Sequence, residues 1–298
     1  MMPRPFPLES LRALRVTGPD AGSFLQNQLS SDLREVNPAR GQLSGWHDPK
    51  GRVLAFLRVL PHPEGFVLVM HAGLLETVWQ RLRMFVLRAK VSLEAGPAVY
   101  GLSGAQGDAA GVLAGLALDT APLSAACSEA LSVLRLPGRA GWLLAGELDL
   151  AATPDAAAEN AWARGEIEAG LPEVFPETSG EFVAQMINLD RIGAVSFTKG
   201  CYPGQEIVAR AHHLGRVKRR ARVFRAMGAP PAPGEALAEA GGAVVRAASA
   251  DEGCLVMAVV AEDAAGPFAL ADGRALAPLE PAQSIEPAQP VAPGDAKR

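Results

Sequence analysis

Cysteine is scarce in this sequence, with Cys127, Cys201 and Cys254 the only three in 298 residues. An odd number so widely spaced implies no disulfide framework, and without a CxxC pair a closed structural zinc site is not expected. Aromatic residues make up only 5% of the chain, so the core must be aliphatic, with alanine allowing close backbone packing. No apolar run reaches the roughly 18 residues of a membrane span; the best, Val53 to Leu60, is broken by Arg58. The opening segment MMPRPFPLESLR lacks a secretory hydrophobic region before Glu9 and Arg12. These absences predict a cytoplasmic protein of a reducing compartment, with no membrane partner.

What is present fits a soluble globular chain: 49% hydrophobic residues and 20% charged. The length allows two domains, or one large domain with an appendage. Net charge is −4, yet 23 of the 28 basic residues are arginine, and six basic residues fall between Arg216 and Arg225. A mildly acidic total therefore hides one strongly basic spot.

Periodicity and turn chemistry predict an α+β fold in which hairpins outnumber crossover units. Strands are expected over Leu11 to Thr17, Leu43 to Trp46, Val53 to Leu60, Phe66 to Met70, Val99 to Leu102, Ser132 to Leu136 and Trp142 to Ala145, with a further element over 108–116. Asp20 is placed to cap a helix carrying Phe24, Leu25 and Leu29. Leu74 to Leu87 predicts a second helix with Leu75, Val78, Leu82 and Phe85 on one stripe. Thr153-Pro154 opens a third, which Gly170 ends. Short strands separated by Gly241-Gly242, Asp251-Glu252-Gly253 and Asp272-Gly273 predict a small β-barrel or sandwich. The expected units are residues 1–215, an α+β region of two subdomains; 216–280, the barrel; and 281–298, a Pro-rich flexible tail.

Several common sites are absent. Gly101, Gly104 and Gly107 are spaced GxxGxxG rather than as a dinucleotide fingerprint, and Ser103 in GLSGA fails the nucleophile-elbow pattern. The adjacent pair His212-His213 would point in different directions and suits no chelate. The informative stretch is KGCYPGQEIVAR, residues Lys199 to Arg210. Pro203-Gly204 predicts a turn, then a helix over Gln205 to His212 with Ile207, Val208 and Ala211 facing inward. Cys201 precedes that helix and lies two residues from Lys199; a helix N-terminus and an ammonium both favour thiolate. The alternative is a small buried hydrophobe, the usual state of a lone cysteine.

KGCYPGQE (Lys199, Gly200, Cys201, Tyr202, Gly204, Gln205 and Glu206 within it) resembles the KGC-aromatic-x-GQE signature of the YgfZ family, folate-binding proteins of iron–sulfur cluster assembly or maintenance. VTGPDAGSFLQNQLSSD (Val16 to Asp32), HDPKGR (His47 to Arg52) and the run from Ile167 to Cys201 resemble the same family, and the likeness covers residues from about 11 to 225. The resemblance extends to the aminomethyltransferase (T-protein) of the glycine cleavage system. It implies a folate-binding fold of subdomains around a central channel. Tetrahydrofolate or a derivative, including polyglutamylated forms, would meet Glu168 of IEAG and Trp162. A carboxylate can accept paired hydrogen bonds from an aminopterin ring. The chain departs from these families in two places. Ala55 and Phe56 stand where the aminomethyltransferases carry acidic residues, the first of them catalytic, and Leu11 replaces a ligand-side aromatic of some YgfZ relatives.

Three functions follow. The first is a folate-binding accessory protein for iron–sulfur client or assembly proteins, tRNA-modifying enzymes included. Cys201 with Lys199 would be its reactive centre and Cys201 at most a transient cluster ligand, with no resident metal. The second is a one-carbon transferase acting on an unknown amine, which the loss of the acid at Ala55 disfavours. The third is an RNA-binding module. Arg216, Lys218, Arg220 and Arg222 recur with period two and would share one face of a strand. A solvated edge strand explains the same row without RNA.

Overall fold

The computed structural model describes residues 4–102, 113, 118–138, 141–148, 153–213, 217–239 and 241–279. The element expected over 108–116, all but residue 113, therefore lies outside the described residues, as do Ser103, Gly104, Gly107, Arg216 and the tail 281–298. Among the described residues no helix is long and apolar enough to cross a membrane.

Among the described residues, three antiparallel five-stranded sheets carry the fold. The first runs β3-β4-β5-β2-β6, with β2 Leu11–Thr17, β3 Gln42–His47, β4 Val53–His62, β5 Gly65–His71 and β6 Ser92–Ala95. The second runs β1-β7-β10-β9-β8, with β1 Phe6–Pro7, β7 Val99–Leu102, β8 Ala125–Cys127, β9 Leu131–Arg135 and β10 Trp142–Gly146. The third runs β12-β13-β11-β15-β14, with β11 Arg219–Ala226, β12 Ala243–Ala250, β13 Gly253–Ala261, β14 Phe268–Ala269 and β15 Ala275–Pro278. Helices α1 Ala21–Gln26, α2 Leu75–Arg83, α3 Ala156–Glu168 and α4 Gln205–His213 pack around them. The mixture of hairpin-linked sheets and separate helices is the expected α+β class.

Local chemistry differs from expectation at several helix ends. Asp20 stands at the start of α1 but makes no side-chain cap, because its carboxylate accepts the Lys90 N–H at 2.7 Å. Helix α3 is capped by Asp155, which accepts from the N–H groups of Ala157 and Ala158, rather than by Thr153. Helix α2 stops at Arg83, so Phe85 falls beyond the helical period and is 48% exposed, while Val78 and Leu82 are buried. In α4, Val208 is buried but Ile207 is largely exposed beside Gly51, and Ala211 is half-buried.

The basic row is the largest correction. Strand β11 lies between β13 and β15, so it is not an edge strand. Arg220 is buried and pairs with Asp190 through two 2.9 Å bonds, also donating to the Gln185 carbonyl. Arg222 donates to the Ala264 carbonyl and lies over the rings of Phe224 and Phe268. Among the described residues of the row, only Lys218, just before the strand, keeps the exposure that the period-two reading assigned to it.

Four charges are buried together where sheets one and three meet α3. Arg58 of β4 donates to Glu166 of α3 at 2.6 Å and to Glu173 at 2.9 Å; Arg246 of β12 donates to Glu166 at 3.0 Å. All four are buried. Burial would lower the Arg58 pKa, but the two carboxylates outweigh it and raise it; burial would raise that of Glu166, but the two guanidiniums outweigh it and lower it. With a folded pKa below its unfolded one, Glu166 contributes stability that is present above the ordinary carboxylate range and lost as pH falls through the folded value. Arg58→Met should leave two buried carboxylates short of a cation and cost about 3–5 kcal/mol in urea unfolding at pH 7. A loss under about 1 kcal/mol, the range of exposed pairs, would show that the cluster does not hold the elements together.

Candidate functional site

Two short motifs meet at one surface. The turn of HDPKGR and the turn of KGCYPGQE are held together by two glycines with left-handed backbones, Gly51 at φ +74° and Gly204 at φ +78°. A Cβ on Gly204 would sit 2.5 Å from the Asp48 carbonyl oxygen and 2.7 Å from the Gly51 Cα, so only glycine allows this approach. Asp48 fixes its own turn by accepting from the N–H groups of Lys50 and Arg52, each at 2.8 Å.

Lys199 is buried, and its ammonium donates to three backbone carbonyls: Gln26 and Leu29 at 2.6 Å each and Ser31 at 2.8 Å. These carbonyls lie at and beyond the end of α1, where a helix leaves acceptors unpaired and carries partial negative charge. An ammonium has three N–H bonds, and all three are committed here. The expectation that Lys199 would activate Cys201 directly is therefore replaced by a clamp: the lysine anchors the segment that presents the thiol. Burial pulls the Lys199 pKa down to about 8, which still leaves it cationic at neutral pH.

Behind Cys201 the packing is aromatic. Tyr202 is buried, with the Lys199 Nζ 5.3 Å from its ring centroid and the His47 ring 5.8 Å away. Burial pushes the Tyr202 phenol up and the His47 imidazole down to about 4. Neither the tyrosine hydroxyl nor either His47 nitrogen has a hydrogen-bond partner among the described residues. Cys201 itself is exposed, whereas Cys127 is half-buried and Cys254 buried. Gly200 has open space around it; Gln205 donates a long 3.4 Å bond to the Lys199 carbonyl, and Glu206 is exposed in the first turn of α4, where a helix favours negative charge.

Trp162 and Glu168 both lie on α3, yet not on one face. Trp162 is buried, its ring edge-on to Phe6 at 6.2 Å, and its indole N–H has no partner among the described residues. Glu168 is exposed. Glu166 explains the division, since residues two apart on a helix point nearly opposite ways and Glu166 is held inward by Arg58 and Arg246. Leu11 and Ala55 are both fully enclosed; Ala55 sits opposite Trp46 in the β3–β4 pair. The buried charges escaped the sequence reading, although Arg58 had announced itself as a break in an otherwise apolar strand. Among the described residues, no three His, Cys, Asp or Glu side chains gather as a metal site.

No family model matches the chain. It is 32% identical over 224 residues to the tRNA-modifying protein YgfZ of Edwardsiella ictaluri, covering 71% of this chain and 68% of that protein. The tRNA-modifying protein YgfZ of Klebsiella pneumoniae is 33% identical over 216 residues, covering 68% and 66%. Among solved structures, the glycine cleavage system aminomethyltransferase T of Bartonella henselae matches with a TM-score of 0.62 over 91% of this chain and 83% of that one, at 15% identity. That likeness establishes the fold.

His47 gives this site a pH signature. Its folded pKa of about 4 lies below the ordinary 6.5. The unfolded chain therefore binds a proton that the fold refuses between those values. Stability is whole above pH 6.5 and falls by up to about 3 kcal/mol as pH drops towards 4. Urea titrations from pH 7 to pH 4.5 should show that His47→Leu removes much of this slope; an identical slope in the variant would mean that the imidazole is not buried neutral.

Proposed function

The chain belongs to the YgfZ family, and from that membership we propose that it is a tetrahydrofolate-binding accessory protein supporting the assembly or repair of iron–sulfur proteins, tRNA-modifying enzymes among them. The observation that carries this reading is the presentation of Cys201. It is the exposed thiol of the three, and the residues two before and one after it are buried anchors. Clusters generally take four ligands, so a single exposed thiol suits transient exchange with a client's thiols better than a resident cluster. Residues 1–215 would form the folate-binding unit and 216–280 the barrel packed on it.

Of the two α3 residues, Glu168 is the one placed to meet a folate, since Trp162 faces the other way. The Trp162 indole N–H is buried with no partner among the described residues, whereas the exposed Glu168 carboxylate can accept from an aminopterin edge. Bound tetrahydrofolate would supply a reduced pterin able to carry a one-carbon unit. The chain's own part would be to hold that ring through the outward-facing Glu168 carboxylate, with the inward-facing Trp162 packing α3 against Phe6. For the alternative, aminomethyl transfer, the position that would hold the acid is Ala55, enclosed against Trp46 with Phe56 beside it. No side chain there can take up a proton. RNA binding through Arg216, Lys218, Arg220 and Arg222 loses its basis as a shared face, since Arg220 is bound to Asp190 and Arg222 covers two rings.

Two variants separate the folate and thiol roles. Glu168→Ala should weaken binding of reduced folates by about tenfold or more in a calorimetric titration, a difference of about 1.4 kcal/mol. Cys201→Ser should bind folate as the parent does yet fail to restore cluster-enzyme activity in a strain lacking the gene. Full rescue by Cys201→Ser would end the thiol role; folate binding that is absent, or indifferent to Glu168→Ala, would end the folate role. Incubation with tetrahydrofolate and methylamine donors should yield no methylene-tetrahydrofolate, and sustained turnover would favour the transferase.

A further inference from the structure

At the far end of α4 from Cys201 a cavity of about 610 Å³ opens between the turn at 184–187, α4 and the start of β11. This volume falls in the range of small-molecule sites. Its walls are apolar, from Val183, Met186, Ala211 and Val217, and Lys218 stands exposed at the rim. Gln185 supplies the inner polar group. It is 1% exposed, and its Nε2 donates to the Val208 carbonyl at 2.8 Å, which fixes the amide. Its Oε1 is buried and has no partner among the described residues. An unpaired buried acceptor is unfavourable, and an N–H donor reaching the Gln185 amide from the cavity would relieve that. Glu262, next to the lining residue Ala261, is engaged by Arg191 at 2.9 Å and faces Arg220 at 3.8 Å, so the rim remains positive.

We propose that this cavity is a second ligand site, taking a small amphiphilic anion with an apolar aryl body, one N–H donor for Gln185 Oε1 and a negative group for Lys218. RNA phosphate would use the rim cation but leave the apolar walls and the buried amide unserved. Trp162, Glu168 and Cys201 do not line this cavity, so the proposal stands apart from the folate reading.

Anilinonaphthalene sulfonate carries all three features and serves as the probe on the full chain, read by its fluorescence. One dye should bind per chain, and saturating folinic acid should not displace it. Lys218→Glu, an exposed change, should weaken it by about tenfold or more, and Met186→Trp, which fills the cavity, should do at least the same. Circular dichroism should show both variants folded; if Met186→Trp is not, Lys218→Glu decides alone. Absence of dye binding, binding indifferent to Lys218→Glu, or displacement by folinic acid would each overturn the site.

Discussion

The alternating series Glu173–Arg58–Glu166–Arg246 is the contact on which the placement of the other elements depends. Its four charges sum to zero, which is how so much charge tolerates full burial. It joins the middle of β4, the last turn of α3, the segment after it and strand β12. A break in the β12–β13 register between Val244 and Arg246 accompanies it. A bulge re-aims side chains, and here three successive residues, Val244, Val245 and Arg246, are all buried, which regular alternation would forbid. Replacing such a cluster by hydrophobes of the same volume can be neutral, so its value lies in fixing one arrangement. That arrangement sets the α3 face: Trp162, four residues before Glu166, shares its inner side, and Glu168 must turn outward.

A second set of polar anchors does the same for the signature segment. Lys199 ties it to the end of α1, and Gly51 and Gly204 let the two motif turns touch. Gln185 holds α4 through Val208, and Arg220 ties β11 to Asp190. Each is a charged or amide group meeting backbone or an opposite charge across at least twenty residues of sequence. The thiol between these anchors is thus displayed by a rigid frame, although the cysteine itself has little packed against it.

Strands were legible because alternation and turn residues are local, and β2 begins and ends where its sequence pattern does. The KGC segment was legible as a motif, but the direction of its lysine was not, since the three carbonyls it meets lie about 170 residues earlier. The basic row misled for a related reason. Period two counts the residues on a face without revealing what packs against it, and Asp190 lies thirty residues from Arg220. Helix ends went astray where one acid had two candidate partners: Asp20 serves Lys90 and leaves α1 uncapped.

The same reasoning sharpens what the loss of an acid at Ala55 means. That position is not a vacancy awaiting a carboxylate. Ala55 has no exposed surface, it pairs across the ladder with Trp46, and its neighbour Phe56 is equally enclosed and carries the Arg58 guanidinium 4.9 Å from its ring centroid. Both Arg58 hydrogen bonds to side chains already go to Glu166 and Glu173, so that buried cation is taken. A carboxylate introduced there would be desolvated without a partner, and its pKa would rise until it was neutral. An ionised acid at this position would therefore require β4 and its neighbours to repack around a charge, not one substitution.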